Sequence, residues 1–540
     1  MMGPSKINKF RECEERALSD TNTNDLILAL QNEALYDHPV KEFQVFETHI
    51  SQVILTGDYA YKIKKPMDFG FLDFSTLDRR KHFCEEELRL NSRLAESLYL
   101  DVVPITGTPD NPQIGGEGEA FEYAIRMHQF DQNELFDVRQ ERGALTPELL
   151  TSLARQAAGF HEQLPTVGND KPLGTPEAVY AAMQENFDQI RPLLDDKALL
   201  QQLDNLEEWT RTTFERQREL IASRRENGFV RECHGDLHLS NITVFNGEVT
   251  VFDCIEFNEP FRWIDVINDL AFLLMDLESR REPALANLVL NTYLEYRDDF
   301  GALPLLPLYK AYRAMVRAKI ALFTLGNPSL SEAEKAGLMQ RYQDYAQLAE
   351  SYSVIPNPYM LATTGLSASG KTCVSAAMAE ELGLIRLRSD VERKRLFGLG
   401  PLDQSKSPAG GNIYTPEATG KTYQRLADIA SNLLGAGLPV IVDAASLKQS
   451  ERTLLADVAE NQGVPFALIH CEAPEDLRRE WIRKRSGDAS EATEELLDAQ
   501  QTWFEPLTTE EKTHTIHLHT DQEHVAEAVA DRIRQHFGLG

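Results

Sequence analysis

The chain has 540 residues, of which 42% are hydrophobic and 26% are charged, so it can bury more than one core and is neither disordered nor collagen-like. Lys and Arg total 55 against 85 Asp and Glu, a formal net charge of -30, which opposes binding to nucleic acid or to an anionic membrane through the bulk field. The six cysteines include no C-x-x-C pair, which argues against a disulfide framework and a zinc ribbon.

The sequence shows no signal for export or for membrane insertion. No run approaches the roughly 18 apolar residues of a membrane span. The first residues, MMGPSKINKFRECEER, contain no apolar signal-peptide core. We therefore expect a soluble, cytoplasmic protein with no membrane partner.

The first part of the chain changes from polar to β-rich and then to helical. Residues 1–34 are predicted to be a polar leader that is either loose or forms one helix. Residues 35–352 are predicted to form one α+β domain with two lobes that divide near residue 128. Residues 129–352 are mostly helical apart from a β-rich patch at 229–257. In the first lobe, alternation and turn residues predict a hairpin at 50–63, a helix at 77–97, and strands at 102–105 and 120–127.

The second lobe contains a motif whose residue types and spacing indicate a catalytic loop. Residues 234–241 are HGDLHLSN, with the H-x-D-x-x-x-x-N spacing of a kinase catalytic loop. In this pattern Asp236 orients the proton of an acceptor hydroxyl and Asn241 holds Mg²⁺. Asp253 follows an apolar strand twelve residues later, where a second metal-binding carboxylate is expected. The alternative is that Asp236 and Asp253 are turn residues of a β-hairpin. The presence of both motifs at this separation favours a phosphotransfer site.

A kinase fold also needs a lysine on a strand and a glutamate on a helix before the catalytic loop. Lys62 has the A-x-K spacing of that lysine, and Lys64, on the same strand face, is the alternative. The following helix carries three consecutive glutamates that end in Glu87. We expect Glu87 to pair with Lys62; a solvated acidic helix face is the alternative for all three glutamates.

A second domain is predicted for residues 353–540. Pro356 and Pro358 lie in the segment where it begins, and proline is excluded from helix interiors. Strands then alternate with helices, which is the pattern of a parallel α/β sheet. The predicted strands lie at 360–364, before Asp390, at 439–443, at 466–471 and at 515–518.

The strongest motif opens this domain. It fits G-x-x-x-x-G-K-[ST] and follows an apolar strand, the context of a phosphate-binding P-loop. Lys371 is expected to reach the β- and γ-phosphates and Thr372 to hold Mg²⁺, while a chance match is disfavoured by the flanking strand and helix. The motif consists of Gly365, Leu366, Ser367, Ala368, Ser369, Gly370, Lys371 and Thr372.

Two acids stand at the ends of predicted strands. Asp443 is placed like the carboxylate that orients Mg²⁺ or its water in P-loop proteins, with a helix cap as the alternative. Asp390 closes the second strand, and ligands bind at the carboxyl ends of strands in such sheets. Asp390 is therefore a candidate base, although a helix N-cap explains it equally well. Arg393, one helical turn later, is a candidate for binding an anionic acceptor.

A basic helix follows the fourth strand. It carries Arg478, Arg479, Arg483 and Arg485, with Trp481 where a further arginine is expected. We predict that Arg483 and Arg485 belong to a lid that binds the transferred phosphoryl group. The alternative is a solvated surface helix.

HGDLHLSN and the strand before Asp253 are similar to the aminoglycoside-phosphotransferase-like branch of the kinase fold. Together with ETHISQVILTGDYAYKIKKP, EYAIRMHQF and GLSASGKT, they resemble bacterial two-domain proteins. These are described as bifunctional aminoglycoside phosphotransferase-like and ATP-binding proteins of the AAA or zeta-toxin-like kinase type. The resemblance covers about residues 35–535. It implies a two-lobed protein-kinase-like fold followed by a P-loop kinase domain with a parallel α/β sheet.

The resemblance also implies roles for individual residues. Asp236 corresponds to the catalytic base and Lys62 to the phosphate-binding lysine, while Asn241 and Asp253 correspond to Mg²⁺ ligands. The chain departs from protein kinases in two ways: no G-x-G-x-x-G loop is present, and Asp253 is followed by Cys-Ile instead of Phe-Gly. Both departures suit the aminoglycoside-kinase branch.

These motifs predict an ATP-dependent phosphotransferase with two kinase modules. Each would use ATP and Mg²⁺ and transfer the γ-phosphoryl group to a hydroxyl of a small molecule. One alternative is a regulatory protein that senses ATP without productive transfer. Another is phosphorylation of nucleic-acid ends by the P-loop module, which the net charge opposes.

Overall fold

The computed structural model describes residues 21–537 except 49, 69, 71, 329, 355–356, 406–411, 485–486 and 522–524. The chain forms two compact units, which are described separately below. The first comprises residues 1–146, 163–179 and 219–273, and the second comprises residues 147–162, 180–218 and 274–540.

A six-stranded antiparallel sheet forms the centre of the first unit, in the order β1-β2-β3-β6-β4-β5. The predicted hairpin and the strands near 102–105 and 120–127 are confirmed, as is the helix, α2 (Leu77–Ala95). Strand β5 was not predicted, because it contains Pro112. It lies at the edge of the sheet, where proline is tolerated. The strands are β1 (Gln44–Glu47), β2 (Ser51–Leu55), β3 (Tyr59–Lys64), β4 (Tyr99–Thr108), β5 (Asn111–Ile114) and β6 (Ala120–His128).

Part of the segment predicted as a polar leader belongs to this core. Helix α1 (Thr21–Ala29) lies before the sheet. Leu26, Ile27 and Leu30 are buried in one apolar cluster with Ile54 of β2. Their spacing places them on one helical face, which can cover a sheet. The helix alternative for the leader is therefore confirmed at Thr21–Ala29, and these three positions are apolar parts of the core.

The remainder of the first unit carries short elements around the HGDLHLSN segment. Strands β8 and β9 form an antiparallel hairpin, and β7 pairs with β10. The β-rich patch at 229–257 is confirmed, whereas β10 is too short to leave a periodic signal. The elements are α3 (Phe136–Glu141), β7 (Val230–Glu232), β8 (Ile242–Phe245), β9 (Glu248–Val251), α7 (Glu259–Arg262) and β10 (Trp263–Asp265).

Long helices fill the sequence between residues 147 and 351. Where the chain is described, none of its helices is long and apolar enough to cross a membrane. The helices are α4 (Pro147–Gln163), α5 (Pro176–Ile190), α6 (Lys197–Glu226), α8 (Val266–Ser279), α9 (Pro283–Arg297), α10 (Leu306–Leu325) and α11 (Glu332–Ser351).

The second unit also contains a five-stranded sheet in the order β12-β13-β11-β14-β15. Every pairing in it is parallel, which confirms the predicted fold class for this part of the chain. The strands are β11 (Met360–Thr364), β12 (Ile385–Arg388), β13 (Val440–Asp443), β14 (Phe466–Glu472) and β15 (Thr515–His519).

Helices connect these strands, and the carboxyl ends of β11, β12 and β13 lie side by side. Asp390 does not close β12 as predicted. The strand ends at Arg388, and Asp390 lies in the first turn of the next helix. The helices are α12 (Lys371–Leu382), α13 (Ser389–Leu396), α14 (Pro416–Gly435), α15 (Gln449–Gln462), α16 (Glu475–Lys484), α17 (Glu494–Trp503), α18 (Thr509–Thr513) and α19 (Val525–Phe537).

Helix α9 is hydrogen-bonded to this sheet domain within the second unit. The Asn287 amide donates to the carbonyl of Glu380 at 2.9 Å. Asn291 donates to the carbonyl of Leu384 at 3.1 Å and accepts from the backbone N–H of Arg386 at 2.7 Å. These bonds explain why α9 belongs to the same compact unit as residues 353–540, although the domain boundary was predicted to lie between them.

Candidate active sites

The first site is built on the HGDLHLSN loop between β7 and β8. The Asn241 amide donates to the carbonyl of Asp236 at 3.0 Å and to its Oδ2 at 3.1 Å. His238 Nε2 lies 3.2 Å from the same carboxylate oxygen. The Asp236 side chain remains about one-third exposed, so it is held in place and still reachable by an acceptor.

A buried aspartate on α8 fixes the start of this loop. Asp269 accepts hydrogen bonds from the backbone N–H of His234 at 3.0 Å and of Gly235 at 2.9 Å. Gly235 has φ +87°, and a Cβ atom there would lie 2.8 Å from the carbonyl oxygen of Phe261. Only glycine fits this position without a backbone shift.

His234 links the loop to the strand that precedes Asp253. Its Nδ1 accepts from the backbone N–H of Asp236 at 3.2 Å, which leaves Nε2–H to donate to the carbonyl of Phe252 at 2.9 Å. The backbone N–H of Phe252 in turn donates to the carbonyl of Asn241 at 3.0 Å. Both expected metal ligands, Asn241 and Asp253, are thereby placed on neighbouring stretches of backbone.

The predicted lysine and glutamate come together with Asp253. Lys62 Nζ lies 2.8 Å from Glu87 Oε1 and 2.6 Å from Asp253 Oδ1. Burial by itself disfavours the charged form of Lys62, but Asp253 and Glu87 outweigh it and raise the pKa of Lys62 well above its ordinary value. Burial also opposes ionisation of Glu87, yet Lys62 and Lys64 lower its pKa to about 2.

The structure uses both lysines of β3, which were alternatives in the sequence. Lys64 Nζ donates to Glu87 Oε2 at 2.6 Å and is also paired with Glu256. Glu87 is therefore a buried carboxylate shared by two ammonium groups. Glu256 was not predicted. The only sequence signal for it is its position, three residues after Asp253.

The donor set of the first site suits Mg²⁺. Asp253 and Asn241 offer carboxylate and amide oxygens, which are the hard ligands that this ion prefers. The Asp253 side chain is 43% exposed, whereas Glu87 is fully buried. Asp253 is thus the carboxylate that an arriving metal–nucleotide complex can reach.

The second site is the loop between β11 and α12, at the predicted motif. Gly365 has φ +140°, and a Cβ atom there would lie 2.4 Å from the carbonyl oxygen of Cys471. Lys371 Nζ donates to the carbonyl of Leu366 at 2.6 Å, across the loop. This compact arc at a helix N-terminus, with a lysine inside it, has the form that binds phosphate groups.

A cavity of about 1070 Å³ opens beside this loop. Lys371, Thr372, Asp390 and Asp443 all line it, so the structure brings these predicted residues to one place. Asp443 Oδ2 is buried and accepts no hydrogen bond from any described residue. A buried carboxylate oxygen without a donor, on a residue that lines a cavity, suits a metal ligand.

Asp390 and Arg393 line the same cavity from α13. The cap position of that helix is Arg388, so Asp390 is not its N-cap. Arg393 is 7% exposed and donates to the carbonyl of Ile413 at 3.0 Å and to Thr419 Oγ1 at 3.1 Å. Within the described chain no carboxylate pairs with Arg393, which leaves its positive charge available to a ligand.

The structure does not place Arg483, which was predicted to belong to a lid, at the cavity. Its side chain is 65% exposed and pairs with Glu494 at 2.7 Å, and it does not line the cavity. Trp481 and Lys484 of the same helix do, because residues three apart share a helical face that Arg483 does not share. Arg485 lies outside the described residues.

Two family models match this chain, one in each of the parts that carry a candidate site. Residues 72–306 match the phosphotransferase enzyme family, and residues 360–507 match an AAA domain. An uncharacterized protein of Mycobacterium tuberculosis is 28% identical over 467 residues, which cover 86% of this chain and 91% of that protein. An uncharacterized protein of Mycobacterium bovis matches to the same extent.

Solved kinase structures match different parts of the chain. An amicoumacin kinase, hAmiN, in complex with AMP-PNP, Ca²⁺ and Ami is 14% identical, with a TM-score of 0.39, and the match covers 62% of this chain and 95% of that one. A gluconokinase from Sinorhizobium meliloti is 21% identical, with a TM-score of 0.25, and the match covers 34% and 99%. From the family matches, the chain combines a domain of the phosphotransferase enzyme family, over residues 72–306, with an AAA domain over residues 360–507.

Proposed function

We propose that the chain is an ATP- and Mg²⁺-dependent kinase with a transfer site in each domain, acting on hydroxyl groups of small molecules. The observation that carries this proposal is the contact of Lys62 with Asp253, residues 191 positions apart in sequence, beside the loop of Asp236 and Asn241. When bound, Mg·ATP supplies the transferred phosphoryl group, and the metal neutralises charge on the phosphates.

In the first site, Asp253 and the amide oxygen of Asn241 are the metal-binding groups, and the other tasks are divided among the remaining groups. Asp236 orients the acceptor hydroxyl and accepts its proton, and the amide of Asn241 holds the Asp236 carboxylate in position. Lys62 offers its ammonium group to phosphate oxygens, while Glu87 keeps that ammonium at the site. Catalysis of this kind depends on positioning and on fixed charges, for which these groups suffice.

In the second site, the P-loop and Lys371 bind the phosphates, with Thr372 and Asp443 as the metal-binding residues. Asp390 is the candidate base for the acceptor hydroxyl. Arg393 favours an acceptor that carries an anionic group, because a buried guanidinium without a carboxylate partner gains most from binding an anion.

The test is consumption of Mg·ATP by wild type, Asp236→Ala and Lys371→Ala with a pooled library of metabolites and aminoglycosides, and products detected by mass spectrometry. A product lost only in Asp236→Ala assigns transfer to the first site and identifies its acceptor. A product lost only in Lys371→Ala does the same for the second site. ATP binding with no product in any sample contradicts the proposal and supports a nucleotide-sensing protein.

A further inference from the structure

Arg388, at the end of β12, lies among three carboxylates at the wall of the second site. Its Nη2 donates to Asp488 Oδ1 at 2.5 Å, and its Nε lies 3.7 Å from Asp443 Oδ2. Its Nη1 donates to Glu295 Oε2 at 3.3 Å. Asp443 and Asp488 belong to the AAA domain, whereas Glu295 comes from α9, within the residues that match the phosphotransferase enzyme family.

Glu295 is held firmly at this place. Its other oxygen accepts from Arg386 Nη2 at 2.5 Å, and its backbone carbonyl accepts from Arg395 Nη2 at 2.7 Å. The side chain is 13% exposed. Burial opposes ionisation of Glu295, but Arg386 and Arg388 outweigh it and lower its pKa below the ordinary value. Glu295 therefore presents a fixed negative charge to Arg388.

That charge decides how strongly Arg388 competes for Asp443. The guanidinium is a rigid fork of N–H donors, and the bonds from its two Nη atoms to Asp488 and Glu295 fix where its Nε can lie. At 3.7 Å, Arg388 Nε makes no hydrogen bond to Asp443 Oδ2, and this buried oxygen accepts no hydrogen bond from any other described residue. Without the negative charge of Glu295, Arg388 would be free to form a direct pair with Asp443 and displace a cation from it.

We propose that Glu295 is a positioning residue of the second site, which restrains Arg388 so that Asp443 remains available to Mg²⁺. This inference rests on the proposed function, since it assumes the metal role of Asp443. It means that a residue of the phosphotransferase-family domain tunes metal binding in the AAA domain.

The test is Glu295→Gln in the full-length chain, which keeps the shape of the side chain and removes its charge. Mg²⁺ is titrated against a fluorescent mant-ADP probe excited by energy transfer from Trp481 and Trp503, both of which line the cavity. We expect the Mg²⁺ concentration at half-maximal binding to rise by about fivefold or more, with little change in probe affinity at saturating Mg²⁺. A purely structural role for Glu295 would weaken probe binding at every Mg²⁺ concentration.

Glu278→Gln is the matched control. Glu278 is also largely buried and paired with a cation, Lys310 at 2.8 Å, but Lys310, unlike Arg388, does not line the cavity. We expect the wild-type Mg²⁺ midpoint in this variant. If Glu295→Gln does not fold, Glu295→Asp keeps the charge but shortens the reach, and we expect a smaller rise of the midpoint in the same direction.

A wild-type midpoint in a folded Glu295→Gln or Glu295→Asp protein would overturn the inference. Two further variants separate this outcome from a failure of the proposed function. An unchanged probe signal in Lys371→Ala would show that the second site does not bind nucleotide. An unchanged Mg²⁺ midpoint in Asp443→Asn would overturn the metal role of Asp443, and the role of Glu295 with it.

Discussion

Lys62 Nζ lies 2.6 Å from Asp253 Oδ1, although the two residues are on different strand-and-loop segments of the first unit. The same ammonium is 2.8 Å from Glu87, which is fully buried. Lys62 therefore has one permanent partner and one partner that is open to solvent. A metal–nucleotide complex that binds Asp253 can replace the Lys62–Asp253 pair without leaving Lys62 uncompensated.

Asp253→Asn is expected to remove Mg²⁺-dependent transfer at the first site while the fold is retained, because Lys62 keeps Glu87 as its partner. We expect turnover to fall by at least about 100-fold. The measurement is product formation in a Lys371→Ala background, where only the first site contributes. Glu248→Gln, an exposed acid of the adjacent hairpin, is the control and should retain wild-type turnover. Wild-type Mg²⁺ dependence in Asp253→Asn would contradict the metal role of Asp253.

Glu87→Gln is expected to destabilise the protein, because it leaves two buried ammonium groups without their shared carboxylate. Breaking a buried ion pair in this way costs about 3–5 kcal/mol. Glu85→Gln is the control: Glu85 is exposed and lies 3.7 Å from Lys81, so we expect a loss of at most about 0.5 kcal/mol. Denaturant unfolding of both variants checks this, and equal effects would show that Glu87 does no more than a surface acid.

The difference in stability between wild type and Glu87→Gln should depend on pH in a defined window. The pKa of Glu87 is about 2 in the folded protein, below the ordinary value of 4.5. A carboxylate with a lowered pKa stabilises the folded state above its unfolded pKa, and this contribution is lost as the pH falls toward the folded pKa. We therefore expect a constant difference from pH 7 to about pH 5 and a narrowing below about pH 4.5. A difference that narrows between pH 7 and pH 5 would contradict this origin.

Local motifs made the main features of both sites predictable. The P-loop and the pair Asp236 and Asn241 are contiguous in sequence, and their geometry follows from a few residues of backbone. Lys62 and Glu87 were found because a known catalytic arrangement requires them. Lys64 and Glu256 complete that ion-pair network through tertiary packing, which periodicity alone does not show.

The differences between prediction and structure have physical causes as well. The prediction for Arg483 counted basic residues without assigning them to a helical face, and the face toward the cavity carries Trp481 and Lys484 instead. The predicted end of β12 was two residues late, since a polar pair at a strand end does not show where the helix begins. Glu295 belongs to a helix far from the P-loop in sequence, and no local pattern links it to Arg388.

Gly365→Ala is expected to abolish nucleotide binding at the second site. Its Cβ atom would lie 2.4 Å from the Cys471 carbonyl, so the loop must move away from its phosphate-binding form. Gly337→Ala is the control, since nothing lies within 4 Å of that position on an exposed turn of α11. The control should gain about 0.5–1 kcal/mol of stability, because alanine favours a helix over glycine. Tryptophan-excited probe binding and thermal unfolding measure both effects, and normal binding in Gly365→Ala would contradict the assigned loop geometry.

Arg393→Met is expected to impair recognition of an anionic acceptor at the second site, since the variant keeps an unbranched side chain and removes the guanidinium with its charge. Loss of a charge-assisted hydrogen bond of about 1.5–3 kcal/mol should raise the acceptor KM by about tenfold or more, with a smaller effect on kcat. Arg483→Met is the matched control, because Arg483 is exposed and paired with Glu494 outside the cavity. Steady-state kinetics with the acceptor found in the library experiment provide the measurement. If Arg483→Met raises KM and Arg393→Met does not, α16 and not α13 binds the anionic group of the acceptor.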